Sequence, residues 1–288
     1  MAFLIPDVLA DTCSSADNGP AWLEQLPGIV AELEQRWSLK LAPPFMEEAG
    51  CCSWVAPVEQ DDGSRAILKI GRPHPEADHE IAGLRFWDGD GIARILDGDV
   101  ELNAMLLERC DPGTPLWDEP DSEQDAVLAK LLRRLWRVPP AELPFRPLAA
   151  MLHRWSEMAR RAPDQQLDPA LVELGLELFR DLPRSAPQAV VLHTDLHPGN
   201  VLRAQREPWL AIDPKPFVGD PAYDATQHLL NCPDRMQADP LATIAGFSDL
   251  LGVDRERVRL WTLARAAAQP ADDWFRARWR SIAEALAP

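Results

Sequence analysis

His193, Asp195 and Asn200 fall within eight residues of one another in VVLHTDLHPGNVL (190–202), a polar loop between two apolar runs. Thirteen residues after Asn200, Asp213 closes the run WLAID. Such a loop has more than one use. Its short polar side chains could simply cap their own backbone. Alternatively, a β-hairpin linking Asn200 to Asp213 would return both side chains to one end. An amide oxygen and a carboxylate there are hard ligands that suit Mg²⁺. Asp195 would then stand beside the metal as an unliganded carboxylate. Phosphoryl transfer needs that arrangement: metal on the phosphates, and a carboxylate to take the attacking hydroxyl's proton. His193, Asp195 and His197 could also be three metal ligands of a hydrolase. The chain shows no further histidine cluster to support that reading.

These residues need a frame. The run PAWLEQLPGIVAELEQRWSL (20–39) has helical periodicity. SWVAPVEQ and SRAILKI, joined by DDG, read as a hairpin. A helix is expected over about 76–87, followed by strands in IARILDGD and VELNAMLLERC. CDPGTPL (110–116) holds two prolines and a glycine and reads as a connector. Beyond it the pattern is helical over 122–138, 147–161 and 169–181. After the polar loop and a short hairpin, helices are expected over 222–230, 240–251, 255–268 and 271–287. Trp136, Trp155 and Trp261 lie on these helices as core residues. The outline is a small sheet with one inserted helix, a connector, and a helical remainder.

The 288 residues suffice for one large domain or two modest lobes. A formal charge of −17 argues against nucleic acid as a partner and is compatible with a cationic one. No apolar run reaches the roughly 18–20 residues of a membrane span, and the N-terminus lacks a signal peptide's basic start. The five cysteines form no C-x-x-C pair, so reduced thiols in a cytoplasm are expected. Only four of the 29 basic residues are lysines: Lys40, Lys69, Lys130 and Lys215. A lysine within an apolar run is therefore conspicuous.

LHTDLHPGNVL and AIDPKPFVGDPAYD resemble the aminoglycoside phosphotransferases, in the branch of streptomycin 6-kinases and hydroxyurea phosphotransferases. HEIAGLRFWDGDGIARILDGD and AMLLERCDPGTPL extend the likeness over most of the chain. The resemblance implies an α+β, protein-kinase-like fold of two lobes. Residues 1–109 would form a β-rich N-terminal lobe with the ATP-binding sheet, one helix within it and another before it. Residues 110–116 would be the hinge, and 117–288 a helical lobe with the catalytic and acceptor site.

The same resemblance implies roles. Lys69 in AILKI would bind the α- and β-phosphates of ATP, and Glu80 would pair with it, with Glu76 as the competitor. LLERC would be the hinge strand, whose backbone at Glu108, Arg109 and Cys110 meets the adenine. Asp195 would be the catalytic base, and Asn200 and Asp213 the Mg²⁺ ligands. His193 would brace the loop, and His197 would bond a loop carbonyl. Lys215 in DPKP would lie near the transferred phosphate or pair with Asp220 or Asp224. Tyr223, the only tyrosine, would lock the segment after the metal site.

There are departures from the family pattern. The phosphate-covering loop should lie in EEAGCCSWVAPV, which has one glycine, Gly50, instead of G-x-G-x-x-G. Backbone amides of Cys51, Cys52 and Ser53 would have to cradle phosphate there. Thr194 stands where the family commonly has glycine, and a β-branched residue there demands a negative φ.

The resemblance thus implies a cytoplasmic, ATP- and Mg²⁺-dependent phosphotransferase acting on a hydroxyl of a small molecule. The acceptor would be an aminoglycoside such as streptomycin, or hydroxyurea. A guanidinium-bearing acceptor would call on carboxylates such as Asp224, Asp234, Asp272 or Asp273. A kinase for choline or a sugar amine, and a non-catalytic nucleotide-binding protein on the same fold, are the alternatives. The presence of Lys69, Asp195, Asn200 and Asp213 together speaks against the last.

Overall fold

Alternation in SWVAPVEQ and RAILKIG puts Trp54, Ala56, Val58, Ala66, Leu68 and Ile70 on one face of a hairpin, and all six are buried. The computed structural model that shows this describes residues 3–46, 52–75, 78–161, 166–270 and 273–288. The chain divides into two compact units, Met1–Gly113 with Arg203–Pro208, and Thr114–Leu202 with Trp209–Pro288.

The first unit opens with α1 (Asp7–Ser14), α2 (Gly19–Arg36) and β1 (Leu39–Leu41). The hairpin β2 (Ser53–Gln60) and β3 (Arg65–Gly71) follows, then α3 (Glu80–Trp87), β4 (Ile95–Asp99) and β5 (Ala104–Glu108). The strands form one antiparallel sheet in the order β1-β2-β3-β5-β4. In the hairpin turn, Asp62 Oδ1 accepts the Ser64 N–H at 2.8 Å and Gly63 takes φ 81°. The inward face of β2 and β3 packs on Leu9, Leu26, Val30 and Leu33 of α1 and α2. Strand alternation then sends Lys69 to the other face of β3.

The expected helix over 76–87 begins only at Glu80. His79 takes φ 74°, a left-handed conformation that an α-helix cannot run through. Glu76 lies outside the described residues, as do Gly50 and Cys51 of the expected phosphate loop.

The second unit contains α4 (Asp121–Leu135), α5 (Leu148–Arg161) and α6 (Pro169–Asp181). Four short strands come next: β6 (Val190–Leu192), β7 (Val201–Arg203), β8 (Trp209–Ala211) and β9 (Phe217–Gly219). Then follow α7 (Pro221–Leu230), α8 (Pro233–Ala238), α9 (Pro240–Leu251), α10 (Arg255–Ala268) and α11 (Asp273–Leu286). Three of the helices start at an Asp-Pro pair. Asp168, Asp220 and Asp239 each accept an N–H of the first turn, and the proline occupies the first helical position. Each such cap is worth about 1 kcal/mol. Helix α10 is buried on nearly every side, including Trp261 and Arg265. Gly175 of α6 allows close approach, because a Cβ there would meet Ala268 Cβ at 3.0 Å and the Ala264 carbonyl at 3.2 Å. Among the described residues no helix is long and apolar enough to cross a membrane.

One polar junction ties α4, α7 and α8. Asp125 receives His228 Nε2 at 2.6 Å and Arg235 Nη1 and Nη2 at 2.9 and 2.7 Å. Burial pushes the Asp125 carboxyl up, but the hydrogen bonds from His228 and Arg235 outweigh it and hold the carboxyl at about 2. A carboxyl depressed on folding stabilises above its unfolded range near 3.8, and that stabilisation is lost as pH falls towards 2. Asp125→Asn should therefore cost about 2–3 kcal/mol at pH 7. Urea melts should show the penalty shrinking below pH 4; an equal penalty at pH 3 and pH 7 would contradict this account of the junction.

Candidate active site

Two short ribbons grip the polar loop. Strand β6 pairs antiparallel with β9, Val190 opposite Gly219 and Leu192 opposite Phe217. Strands β7 and β8 form the second ribbon. The loop 193–200 leaves β6 and enters β7, while 212–216 leaves β8 and enters β9. Both segments are thus fixed at both ends. They are also sewn together: Lys215 N–H donates to the His193 carbonyl and Ile212 N–H to the Asn200 carbonyl, each at 2.9 Å. The strand WLA ends at Ala211, so Asp213 lies beyond it, at φ 57°.

His193 is a brace whose tautomer follows from its partners. Nε2 faces the Ile212 carbonyl at 3.1 Å, which can only accept, so Nε2 carries the proton. Nδ1 faces the Asp195 N–H at 3.3 Å, which can only donate, so Nδ1 accepts. Both contacts require a neutral ring. Burial, against the pull of Asp195 and Asp213, pushes the imidazole down to about 4. His197 Nδ1 accepts the Gly199 N–H at 3.1 Å instead of bonding a carbonyl, and its ring packs on Trp117 with centroids 5.8 Å apart.

Thr194 overturns the expectation of a negative φ: it takes φ 58°. The reason lies in what the conformation gains. Thr194 Oγ1 donates to the Lys215 carbonyl at 2.5 Å, and the consecutive N–H groups of His193 and Thr194 converge on Asp224 at 3.0 and 2.8 Å. Trp136 Nε1 adds a third donor to Asp224 at 3.0 Å. Asp224 is therefore no acceptor-binding carboxylate. It is fully buried, and burial raises it to about 6 against the hydrogen bonds of Trp136, Thr194 and His193 and the charge of Arg265.

The Asp195 carboxylate has a donor on each oxygen, Lys215 Nζ at 2.5 Å on Oδ2 and Gln227 Nε2 at 2.7 Å on Oδ1. Lys215 thus pairs with Asp195, and not with Asp220 or Asp224. Asp220 caps α7 and accepts from Trp261 Nε1 at 2.6 Å and from Arg257. Tyr223 is buried edge-on to Trp261, centroids 5.3 Å apart, with the Arg265 guanidinium over its ring.

Asn200 Nδ2 donates to the Asp195 carbonyl at 2.9 Å, which fixes the amide and makes Oδ1 the atom that could hold a metal. Among the described residues no cluster of three or more His, Cys, Asp or Glu could hold a metal ion. The HTDLH hydrolase reading fails here, because both nitrogens of His193 are engaged by backbone. An amide oxygen and a carboxylate do fit Mg²⁺, which binds through one or two protein oxygens and fills its octahedron with phosphate and water.

In the first unit Lys69 Nζ meets Glu80 Oε1 at 2.6 Å, both side chains buried. Ser53 starts β2 opposite Gly71. Glu108 N–H is committed to the Arg94 carbonyl at 2.8 Å, and its carboxylate receives Arg206 Nε and Nη2, both at 2.9 Å. Burial pushes the Glu108 carboxyl up, but Arg206 and the Arg94 N–H hold it below the usual range. The Cys110 thiol is buried and pushed up to about 12.

Sequence reasoning missed Gln227, Arg265 and Arg206. Arg265 had a visible signal, a lone charge in the small apolar run TLARAAA. Gln227 and Arg206 had none. A second cluster imitates a catalytic triad, with Cys232 Sγ near His228 and His228 on Asp125. The sulfur is 3.6 Å from both ring nitrogens, so it lies off either donor axis. Burial pushes this thiol up to about 12, which excludes a thiolate nucleophile near neutral pH. Of the carboxylates suggested for a cationic acceptor, Asp234 is exposed; Asp272 lies outside the described residues, and the side chain of Asp273 is likewise not described.

The fold is that of the protein-kinase-like small-molecule kinases. A choline kinase from Streptococcus pneumoniae superposes with a TM-score of 0.64 at 12% identity, covering 91% of this chain and 99% of that one. An aminoglycoside phosphotransferase, APH(4)-Ia, does so with a TM-score of 0.57 at 15% identity, covering 91% and 100%. The profile of the aminoglycoside/hydroxyurea antibiotic resistance kinases matches residues 36–277, and the chain belongs to that family. It is 40% identical over 281 residues to a streptomycin 6-kinase of Streptomyces griseus, covering 91% of this chain and 88% of the relative. It is 38% identical over 265 residues to a hydroxyurea phosphotransferase of Kitasatospora aureofaciens, covering 86% and 73%.

The loop geometry makes a testable demand at Thr194. Thr194→Gly relieves the left-handed strain while losing one hydrogen bond, so it should lie within about 1 kcal/mol of wild type. Thr194→Val keeps the branched shape, loses the hydroxyl and should cost about 1–3 kcal/mol. Thermal melts that rank valine above glycine would refute this.

Proposed function

We propose that the protein transfers the γ-phosphoryl group of ATP to a hydroxyl of a cationic aminoglycoside of the streptomycin type. The observation that carries this reading is the Asp195 carboxylate, held between Lys215 and Gln227 in the loop that also bears Asn200. A carboxylate has about four lone-pair sites, and two donors leave others for an incoming hydroxyl. Asp195 takes the acceptor's O–H proton as the acceptor oxygen bonds to the γ-phosphorus and the bond to the β-bridging oxygen breaks, releasing ADP. Lys69, held by Glu80, supplies a point charge for the α- and β-phosphates. The hinge-strand backbone from Glu108 to Cys110 meets the adenine, and Ser53 lies by the phosphates. Asn200 and Asp213 would hold Mg²⁺, which neutralises charge on the phosphates when bound. His193 keeps the loop in register.

The acceptor class rests on the streptomycin 6-kinase relative and on the net charge of −17, which draws cations inward. The hydroxyurea phosphotransferase relative supports a small neutral acceptor as the second reading. The thiols of Cys13, Cys110 and Cys232, none in a disulfide, suit a reducing cytoplasm.

ADP release measured against streptomycin, other aminoglycosides, hydroxyurea and choline tests the proposal. Streptomycin should give the highest kcat/KM; turnover with choline alone would sink the acceptor class. Asp195→Ala should lower kcat about 10²–10⁴-fold. Unchanged turnover in that variant would remove Asp195 from the chemistry.

A further inference from the structure

A chain of polar side chains runs from α10 through α7 to Asp195. Arg265 on α10 is 2% exposed. Its three nitrogens each have an acceptor: Nε on Gln269 Oε1 at 2.6 Å, Nη1 on Thr226 Oγ1 at 2.7 Å and Nη2 on Gln227 Oε1 at 2.6 Å. The guanidinium also lies over the Tyr223 ring, 5.0 Å from its centroid. Arg265 can only donate, so Gln227 must turn its oxygen to Arg265 and its nitrogen to Asp195. The amide orientation is therefore forced. Gln227 Nε2 then meets Asp195 Oδ1 at 2.7 Å.

Lys215 occupies the other oxygen, but the two donors are not equivalent. Lys215 reaches Asp195 on a flexible four-carbon stem, and its side chain is 32% exposed. Gln227 is clamped from behind by a buried arginine that donates from each of its three nitrogens. Of the two, Gln227 is the one whose orientation a buried arginine dictates.

We infer that Gln227, locked by Arg265, is a positioning residue that sets the Asp195 carboxylate so that a remaining lone pair faces the acceptor hydroxyl. The inference rests on the phosphotransfer reading above. It adds that the base is aimed from α7 and α10, and not by its own loop alone. A misplacement of the base by about 1 Å costs roughly 10²-fold in rate.

The test is steady-state ADP release by the full chain for Gln227→Ala, Gln227→Glu and, in parallel, Asp195→Ala, with streptomycin and hydroxyurea as acceptors. Gln227→Glu is isosteric and keeps its pairing with Arg265, so a packing role predicts wild-type kcat. A positioning role predicts the reverse, because a second acceptor replaces the donor beside Asp195. Both Gln227 variants should lose about 10–100-fold in kcat, with KM for ATP within about twofold of wild type. Thermal melts separate loss of fold from loss of aim, and Gln227→Glu carries the test if Gln227→Ala fails to fold. An inactive Asp195→Ala beside a fully active Gln227→Glu overturns this inference alone, as does a loss confined to KM for ATP. A fully active Asp195→Ala removes Asp195 from the chemistry and overturns this inference with it, whereas a wild-type chain that releases no ADP with any acceptor overturns the phosphotransfer reading.

Discussion

A single buried carboxylate organises the loop that carries Asp195 and Asn200. Asp224, on α7, gathers the N–H groups of His193 and Thr194 and the indole N–H of Trp136. A backbone that turns through a left-handed residue can bring two consecutive amides onto one anion, making the concave cradle that backbone N–H groups form around anions. Here the anion belongs to the protein itself. The positive φ of Thr194 follows from Asp224, and the donors to Asp224 offset the desolvation of a charge with no exposure to water.

The rest of the site inherits that anchor. Three-residue strands have little stability as isolated ribbons. Strands β6 and β9 persist because β6 runs straight into the stapled residues, while Lys215 N–H ties the return segment to the His193 carbonyl. His193 then joins the two segments as a neutral ring, accepting from one backbone and donating to the other. A charged imidazole would leave the Asp195 N–H without its acceptor. Burial, which disfavours that charge, thereby maintains the connection as well as the packing.

The helices of the second unit were legible because their signals are local. Apolar spacing marks their bodies and Asp-Pro pairs mark three of their starts. Helices α1 and α8, of eight and six residues, are too short for periodicity to announce. The start of α3 was misplaced because a left-handed His79 carries no compositional mark. Of the candidate residues, Asp195, Asn200, Asp213, Lys69 and Glu80 stood out through residue type and family pattern. Their long-range partners did not. Lys215 reaches Asp195 across 20 positions and Gln227 across 32, and which donor turns to which carboxylate is settled by packing that no local window contains.

Two aspartates on one loop system show how environment divides labour. Burial raises the Asp224 carboxyl to about 6, yet it has no room to react: it is buried and ringed by N–H donors. Perturbed acids gather at functional sites, but desolvation alone perturbs a structural acid equally well. What separates them is the geometry around the oxygens. Asp195 has one donor on each oxygen and a side chain 16% exposed, so unshared lone pairs remain where a hydroxyl can approach. Access and residual acceptor capacity separate the proposed base from the structural acid.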